Sequence, residues 1–261
     1  MKIGSFRLAA LSRKALAVGG SLACFASVSF AQDASVLITS FSWTTTNGTT
    51  LSFFNPDQNF YTNAQNGGGV FGAQTDQFDH NDYDPAIAGV NLSNAQAALS
   101  TFDPQTFWAT ASTTRSSNPP GTPRNQATAD GFQSGDFSLS DAGSVTFIID
   151  YTLDVNKPGG SLATDYASAV LDFATSFAGQ QPNTVSDQLL SFNQAGGIGE
   201  KNGEFSVTVT LLPDQVGSYT LEGVAQSFAV AAVPEPQEWA RLATGLVALG
   251  GFVRRRRLPR S

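Results

Sequence analysis

From Val145 the chain reads apolar at every second position. Val145, Phe147, Ile149, Tyr151, Leu153 and Val155 form one face, preceded by the turn Asp141-Ala142-Gly143 and followed by Asn156-Lys157-Pro158-Gly159-Gly160. A period of two places all six side chains on one side of a pleated strand, so this segment predicts a strand with one buried face. Phe205, Val207, Val209 and Leu211 repeat the alternation after Asn202-Gly203, a pair that favours a tight hairpin turn. Tyr219, Leu221, Val224 and Phe228 predict a further strand after Pro213-Asp214. Shorter runs lie at Val36 to Trp43, Thr49 to Phe54, Thr106 to Ser112 and Gln133 to Ser140. Asp165 to Phe177 fits both periods: Ala167, Ala169, Leu171 and Phe173 alternate, while Val170, Phe173, Ala174 and Phe177 share a helical face, and the strand is the reading adopted. Asn63 to Gly69, Ser116 to Pro123 and Ala225 to Val233 read as loops. Turn signals roughly every ten residues with strands between them predict an antiparallel β-sandwich and not alternating β and α units.

Composition agrees. Sixteen of the twenty Phe lie in residues 32–233, while Lys, Glu and Arg, the usual helix-surface formers, are scarce there. A segment of about 200 residues is long enough for a single core. The one cysteine, Cys24, precedes it, so neither disulfides nor thiolate metal sites hold the segment together, and its stability must come from burial. Charge divides the chain sharply. Residues 32–233 carry nineteen acidic side chains against Arg115, Arg124, Lys157 and Lys201, whereas both ends are basic. An acidic domain is repelled by phosphate backbones, which excludes nucleic acid as the expected partner.

The ends have their own grammar. Lys2, Arg7, Arg13 and Lys14 precede an apolar stretch of small residues from Ala15 to Phe30, and Ser29-Phe30-Ala31 suits signal peptidase, predicting a signal peptide over 1–31 cut between Ala31 and Gln32. At the other end, Pro234-Glu235-Pro236 ends one element. Trp239 and the uncharged run Leu242 to Val253 follow, and Arg254, Arg255, Arg256 and Arg257 close the series. As a helix, residues 239–253 span about 22 Å, short of a hydrocarbon core of about 30 Å. The Arg cluster prefers the cytoplasm, as does the basic start, so the middle of the chain is expected to loop outside.

This order of parts resembles the PEP-CTERM sorting signal of exported bacterial proteins. Pro234, Glu235 and Pro236 match its motif, Trp239 and Ala240 the residues that often follow, and Arg254 to Arg257 its basic end. Arg241 within the normally apolar part, and Leu258 to Ser261 beyond the cluster, depart from it. The resemblance covers residues 234–261. It implies recognition by an exosortase-like membrane peptidase, a transient membrane anchor, and release to the cell surface or exopolysaccharide matrix.

Within the domain, Asp76, Asp79, Asp82 and Asp84 make the one dense acidic cluster, four hard-oxygen ligands that suit calcium. The spacing lacks the glycine turn and closing Glu of an EF-hand, so the competing reading is a hydrated acidic loop. His80 is the only histidine, and no Gly-x-Ser-x-Gly elbow supplies a nucleophile, which argues against a serine hydrolase. Glycoside hydrolysis needs only two spaced carboxylates, and Asp136, Asp150, Asp172, Glu200 and Glu204 are its candidates. Trp43, Trp108, Tyr61 and Tyr83 have the chemistry to stack on sugar rings or to fill a core.

The expectation is therefore an all-β chain: a signal peptide at 1–31, an acidic antiparallel sandwich at 32–233, and a sorting tail at 234–261 with a helix near 239–253. The preferred role is non-enzymatic, with no catalytic residue, and the partners are signal peptidase, the exosortase-like peptidase and extracellular polysaccharide. A secreted carbohydrate-active hydrolase using paired carboxylates is the alternative.

Overall fold

The computed structural model describes residues 32–229 apart from 47, 71, 83, 104–105, 115–123, 158–164 and 192–196. The expected signal peptide with Ala31, the Pro234-Glu235-Pro236 motif, the apolar run and Arg254 to Arg257 lie outside the described residues. Among the described residues all regular structure is β, and no helix is long and apolar enough to cross a membrane.

The alternation from Val145 becomes β8 (Gly143–Lys157), a central strand whose odd positions from Val145 to Val155 are buried. On one side it pairs with β1 (Gln32–Thr45) and on the other with β11 (Gly197–Leu211). Beyond β1 follow β6 (Thr106–Thr113), β5 (Ala95–Asp103) and β4 (Ile87–Leu92), giving the sheet order β11-β8-β1-β6-β5-β4. The second sheet is built around β12 (Val216–Ala229) and β7 (Asn125–Leu139). With β9 (Tyr166–Phe177), β10 (Asn183–Leu190), β2 (Leu51–Gln65) and β3 (Ala73–His80) its order is β10-β9-β12-β7-β2-β3. Every strand pair is antiparallel. The two six-stranded sheets pack face to face, and Phe41, Phe53, Phe137, Phe147, Phe173 and Tyr219 meet between them with ring centroids 5.0–6.5 Å apart. Burying one such ring stabilises the fold by roughly 1.5–3 kcal/mol, which is how a cysteine-free domain of this size holds.

Several local expectations are corrected. Asn63 to Gln65, read as loop, end β2, and Ala225 to Ala229, read as loop, end β12. Asn202-Gly203 is not a hairpin turn but lies inside β11, opposite Thr152 and Tyr151. A Cβ at Gly203 would sit 2.3 Å from the Tyr151 hydroxyl, so the glycine is there to let that ring lie flat against the strand. Val224 and Phe228 do not share the buried face of β12. That face is Gly217, Tyr219, Leu221, Gly223, Ala225, Ser227 and Ala229, and strict alternation turns the other two outward. The ambiguous segment is β9, with Ala167, Ala169, Leu171 and Phe173 fully buried as a strand requires.

Candidate functional site

The first and last strands meet at one pole of the sandwich. β1 begins at Gln32, which is fully buried and lies opposite Thr113 at the end of β6. The Ser227 hydroxyl near the end of β12 donates to the Gln32 carbonyl oxygen at 3.0 Å and lies 2.7 Å from Thr113 Oγ1. Thr46, Gly48 to Thr50 and the turns at 140–142, 178–182 and 212–215 occupy the opposite pole, where β1 ends and β12 begins.

The acidic cluster is divided among separate tasks. Asp76 and Asp79 lie on the edge strand β3, and Asp82 and Asp84 in the corner that follows. The Asp76 carboxylate accepts the Gly89 N–H at 2.9 Å, and the Gln74 side-chain oxygen accepts that of Asn91 at 3.3 Å. Both donors belong to the outer edge of β4 in the other sheet. β3 thus uses side chains to occupy backbone groups that an edge strand otherwise offers to another chain. Asp82 accepts the Asp84 N–H at 3.0 Å and lies 2.7 Å from His80 Nδ1; these bonds, the backbone one foremost, hold its carboxyl below the usual range. Among the described residues no group of three or more His, Cys, Asp or Glu is gathered closely enough to hold a metal ion. The opposite edge is closed by Lys201 of β11, whose ammonium donates to Asp187 of β10, and by Tyr151 Oη, which donates to the same carboxylate at 2.5 Å. Burial alone raises the Asp187 carboxyl, but donors from Lys201, Tyr151 and the Gln188 N–H outweigh it and hold the group low.

His80, Gln58 and Gln133 form one row across β3, β2 and β7 by strand register. His80 is half exposed and stacks on Phe78 at 5.3 Å, which stacks in turn on Phe60. Gln58 and Gln133 are fully buried, and all four of their side-chain polar atoms lack a hydrogen-bond partner within the protein. Each such group costs about 1–3 kcal/mol when left unsatisfied, so the pair stands out in a core otherwise apolar at this level.

The five candidate carboxylates fall on the two outward faces of the sandwich, which point away from each other. Asp150, Glu200 and Glu204 lie on the β8–β11 face, where Asp150 is opposite Glu204, and Glu200 opposite Asp154. Ser40 Oγ donates to Asp150 at 2.6 Å and Asn202 Nδ2 to Glu200 at 2.9 Å. Asp33 of β1 shares this face; burial, together with Asp154 and against the Asn156 amide, pushes its carboxyl up to about 6. Asp136 and Asp172 lie on the other face, Asp136 accepting Asn55 Nδ2 at 2.8 Å. There Asp172 is opposite Glu222 on β12, and Asp130 on β7 is the diagonal neighbour of Glu222. Glu222 is raised by burial first and then by Asp130 and Asp172, and Asp130 is itself raised by burial. Tyr61, 37% exposed, lies opposite Asp130, and Phe132 opposite Glu222. Asp130 and Glu222 were not among the sequence candidates; strand alternation assigns each an outward position, but only the pairing register makes them neighbours of Asp172. Trp43, 42% exposed, leans edge-on against Phe53 at the turn-bearing pole, Trp108 is half-buried, and Tyr83 lies outside the described residues.

No family model, curated protein or solved structure matches the chain. The functional reading therefore rests on these residues and on the two ends of the sequence.

Proposed function

We propose that the chain is an exported, non-enzymatic protein of the PEP-CTERM kind, carried through the inner membrane, held for a time by its C-terminal helix, and released to the cell surface or exopolysaccharide matrix. The observation that carries this reading is the ordered tail, Pro234-Glu235-Pro236, Trp239, the uncharged run to Val253 and Arg254 to Arg257, following a β domain and a signal-peptide-like start. Two facts support it. Ser227 near the end of β12 bonds to Gln32 of β1, and the domain carries most of the chain's acidic side chains between two basic ends. Ends at one pole suit a chain whose two flanking segments both prefer the cytoplasmic side. Signal peptidase and an exosortase-like peptidase are the processing partners, and polysaccharide is the expected neighbour of the released domain. The test is the intact mass of the released protein: a product starting at Gln32 and lacking Leu242 to Ser261 is expected, and one that retains its Arg cluster contradicts the reading.

One observation favours a second reading, a carbohydrate-active hydrolase. Glu222 with its raised carboxyl, flanked by Asp172 and Asp130 and bordered by Tyr61 and Phe132, has the parts of an acid and a carboxylate partner beside an aromatic platform. Under that reading Glu222→Gln removes glycan hydrolysis and leaves the melting temperature nearly unchanged; under the preferred one neither protein releases sugar.

A further inference from the structure

We infer that Gln58 and Gln133 form an interior binding site for hydroxyl oxygens, supplied by a trapped water or by the hydroxyl of a sugar. The site is built from three observations. First, the two residues are opposite one another on β2 and β7, their side chains on the same inner face, and both are fully buried. Two carbonyl oxygens and two NH2 groups, none with a partner within the protein, are thus held side by side. Second, the neighbouring level of the sheet is thinned. β7 contributes Gly135 there, without a side chain, and β2 loses register between Phe54 and Asp57, where Asn55 adopts a positive φ of 50°. The bulge and the glycine interrupt the regular inward alternation beside the amides, where the buried Tyr219 of β12 lies opposite Gly135. Third, the same row continues through His80 on the edge strand, half exposed and fixed by Asp82, so the polar line runs from solvent to the interior.

The chemistry selects the ligand class. An amide offers a donor and an acceptor but no charge, and a hydroxyl oxygen both accepts and donates, so one such oxygen can satisfy an NH2 group and a carbonyl together. A carboxylate or phosphate would match only the NH2 groups and a cation only the carbonyls, and either would bring an uncompensated charge into the core. The site is independent of the sorting tail, and its failure leaves that reading untouched.

The test is a high-resolution crystal structure of the mature protein, grown without sugar and again with glucose. Oxygen density within hydrogen-bond distance of both amides is the expected result; isolated peaks in both crystals identify water, and a ring in the glucose crystal identifies the saccharide. A direct bond from one amide to the other, with no density beside them, overturns the inference. In solution, glutamine side-chain NH2 signals, assigned with Gln58→Met and Gln133→Met, should give cross-relaxation to water or glucose hydroxyl protons. Loss of either amide should abolish that cross-relaxation at the remaining one. If a substitution prevents folding, the wild-type crystals decide alone.

Discussion

The hydroxyl of Ser227 donates to the carbonyl oxygen of Gln32 at 3.0 Å, across 195 residues of chain. Both residues are fully buried, and Thr113 Oγ1 completes the cluster at 2.7 Å from Ser227 Oγ. Ser227→Ala removes the donor to Gln32 and leaves polar atoms of two strands in a dry interior. The expected loss is about 1–3 kcal/mol in urea unfolding of the mature protein, with an unchanged m-value. A loss within error of zero shows that the two ends of the fold are held by strand pairing alone.

Gly223 sits beneath the Phe107 ring, where a Cβ would lie 2.5 Å from Cε2 and 3.1 Å from Val36 Cγ1. Neither neighbour can swing away, because Phe107 and Val36 are both fully buried. Gly223→Ala is therefore expected to cost about 1–3 kcal/mol by overpacking. Adding Phe107→Leu should recover part of that loss, since the smaller side chain vacates the colliding ring atoms, and the double-mutant cycle reads the coupling directly.

Asp33 gives the domain a pH dependence of definite sign. Burial keeps its carboxyl protonated up to about pH 6 in the folded protein, whereas in the unfolded chain it ionises near 4. Between these values the folded state holds more protons, so this group's contribution to stability falls as pH rises through the window and is level above it. Asp33→Asn removes the titration and keeps an oxygen for the Asn156 amide. At neutral pH the variant should be more stable by about 2–3 kcal/mol, the advantage shrinking to near zero below pH 4, as measured by urea unfolding across the range. A constant difference at all pH values assigns the effect to packing.

The strands whose alternation reads from the sequence are those with one face in the core. β8 and the second half of β11 are examples, and β9 joins them because Ala167 to Phe173 obeys the period of two once its partners are known. The edge strand β3 had no such signal: nearly every residue is exposed, and a strand with no buried face has no period to display. β4 does alternate, burying Ala88 and Val90, but over six residues only and with Ile87 exposed, and the half-buried row of β10, Val185, Asp187 and Leu189, has a carboxylate at its middle. Glycines misled in the opposite direction. Gly203 read as a turn residue but sits in mid-strand to make room for Tyr151, as Gly223 does for Phe107, a demand visible only from the opposing side chain. The same limit applies to chemistry. Asp76 to Asp84 was conspicuous because its members are close in sequence, and it serves largely to cap β4 and shape a corner. Asp130, Asp172 and Glu222 are brought onto one face by register, as are Gln58 and Gln133, and no local motif announces either group.

The tail gives the final prediction. Its Pro-Glu-Pro motif, interfacial Trp239, short apolar run and four arginines do separate jobs, so their variants should fail in different ways. Replacing Pro234, Glu235 and Pro236 by Ala leaves the apolar run and the basic stop intact. The chain should then insert, escape cutting, and accumulate uncut in the membrane fraction. Replacing Arg254 to Arg257 by Asn leaves the motif intact but removes the cytoplasmic stop. A helix of about 22 Å in a core of about 30 Å relies on that charge to hold its lower end at the interface, so this variant should slip outward or fail to insert. Fractionation separates the two outcomes: uncut protein in the membrane for the first, and reduced membrane-bound precursor for the second. Intact mass of the wild-type released protein fixes the reference, with Leu242 to Ser261 absent. If the Pro-Glu-Pro variant is released as efficiently as the wild type, no peptidase reads the motif and the tail is an ordinary anchor.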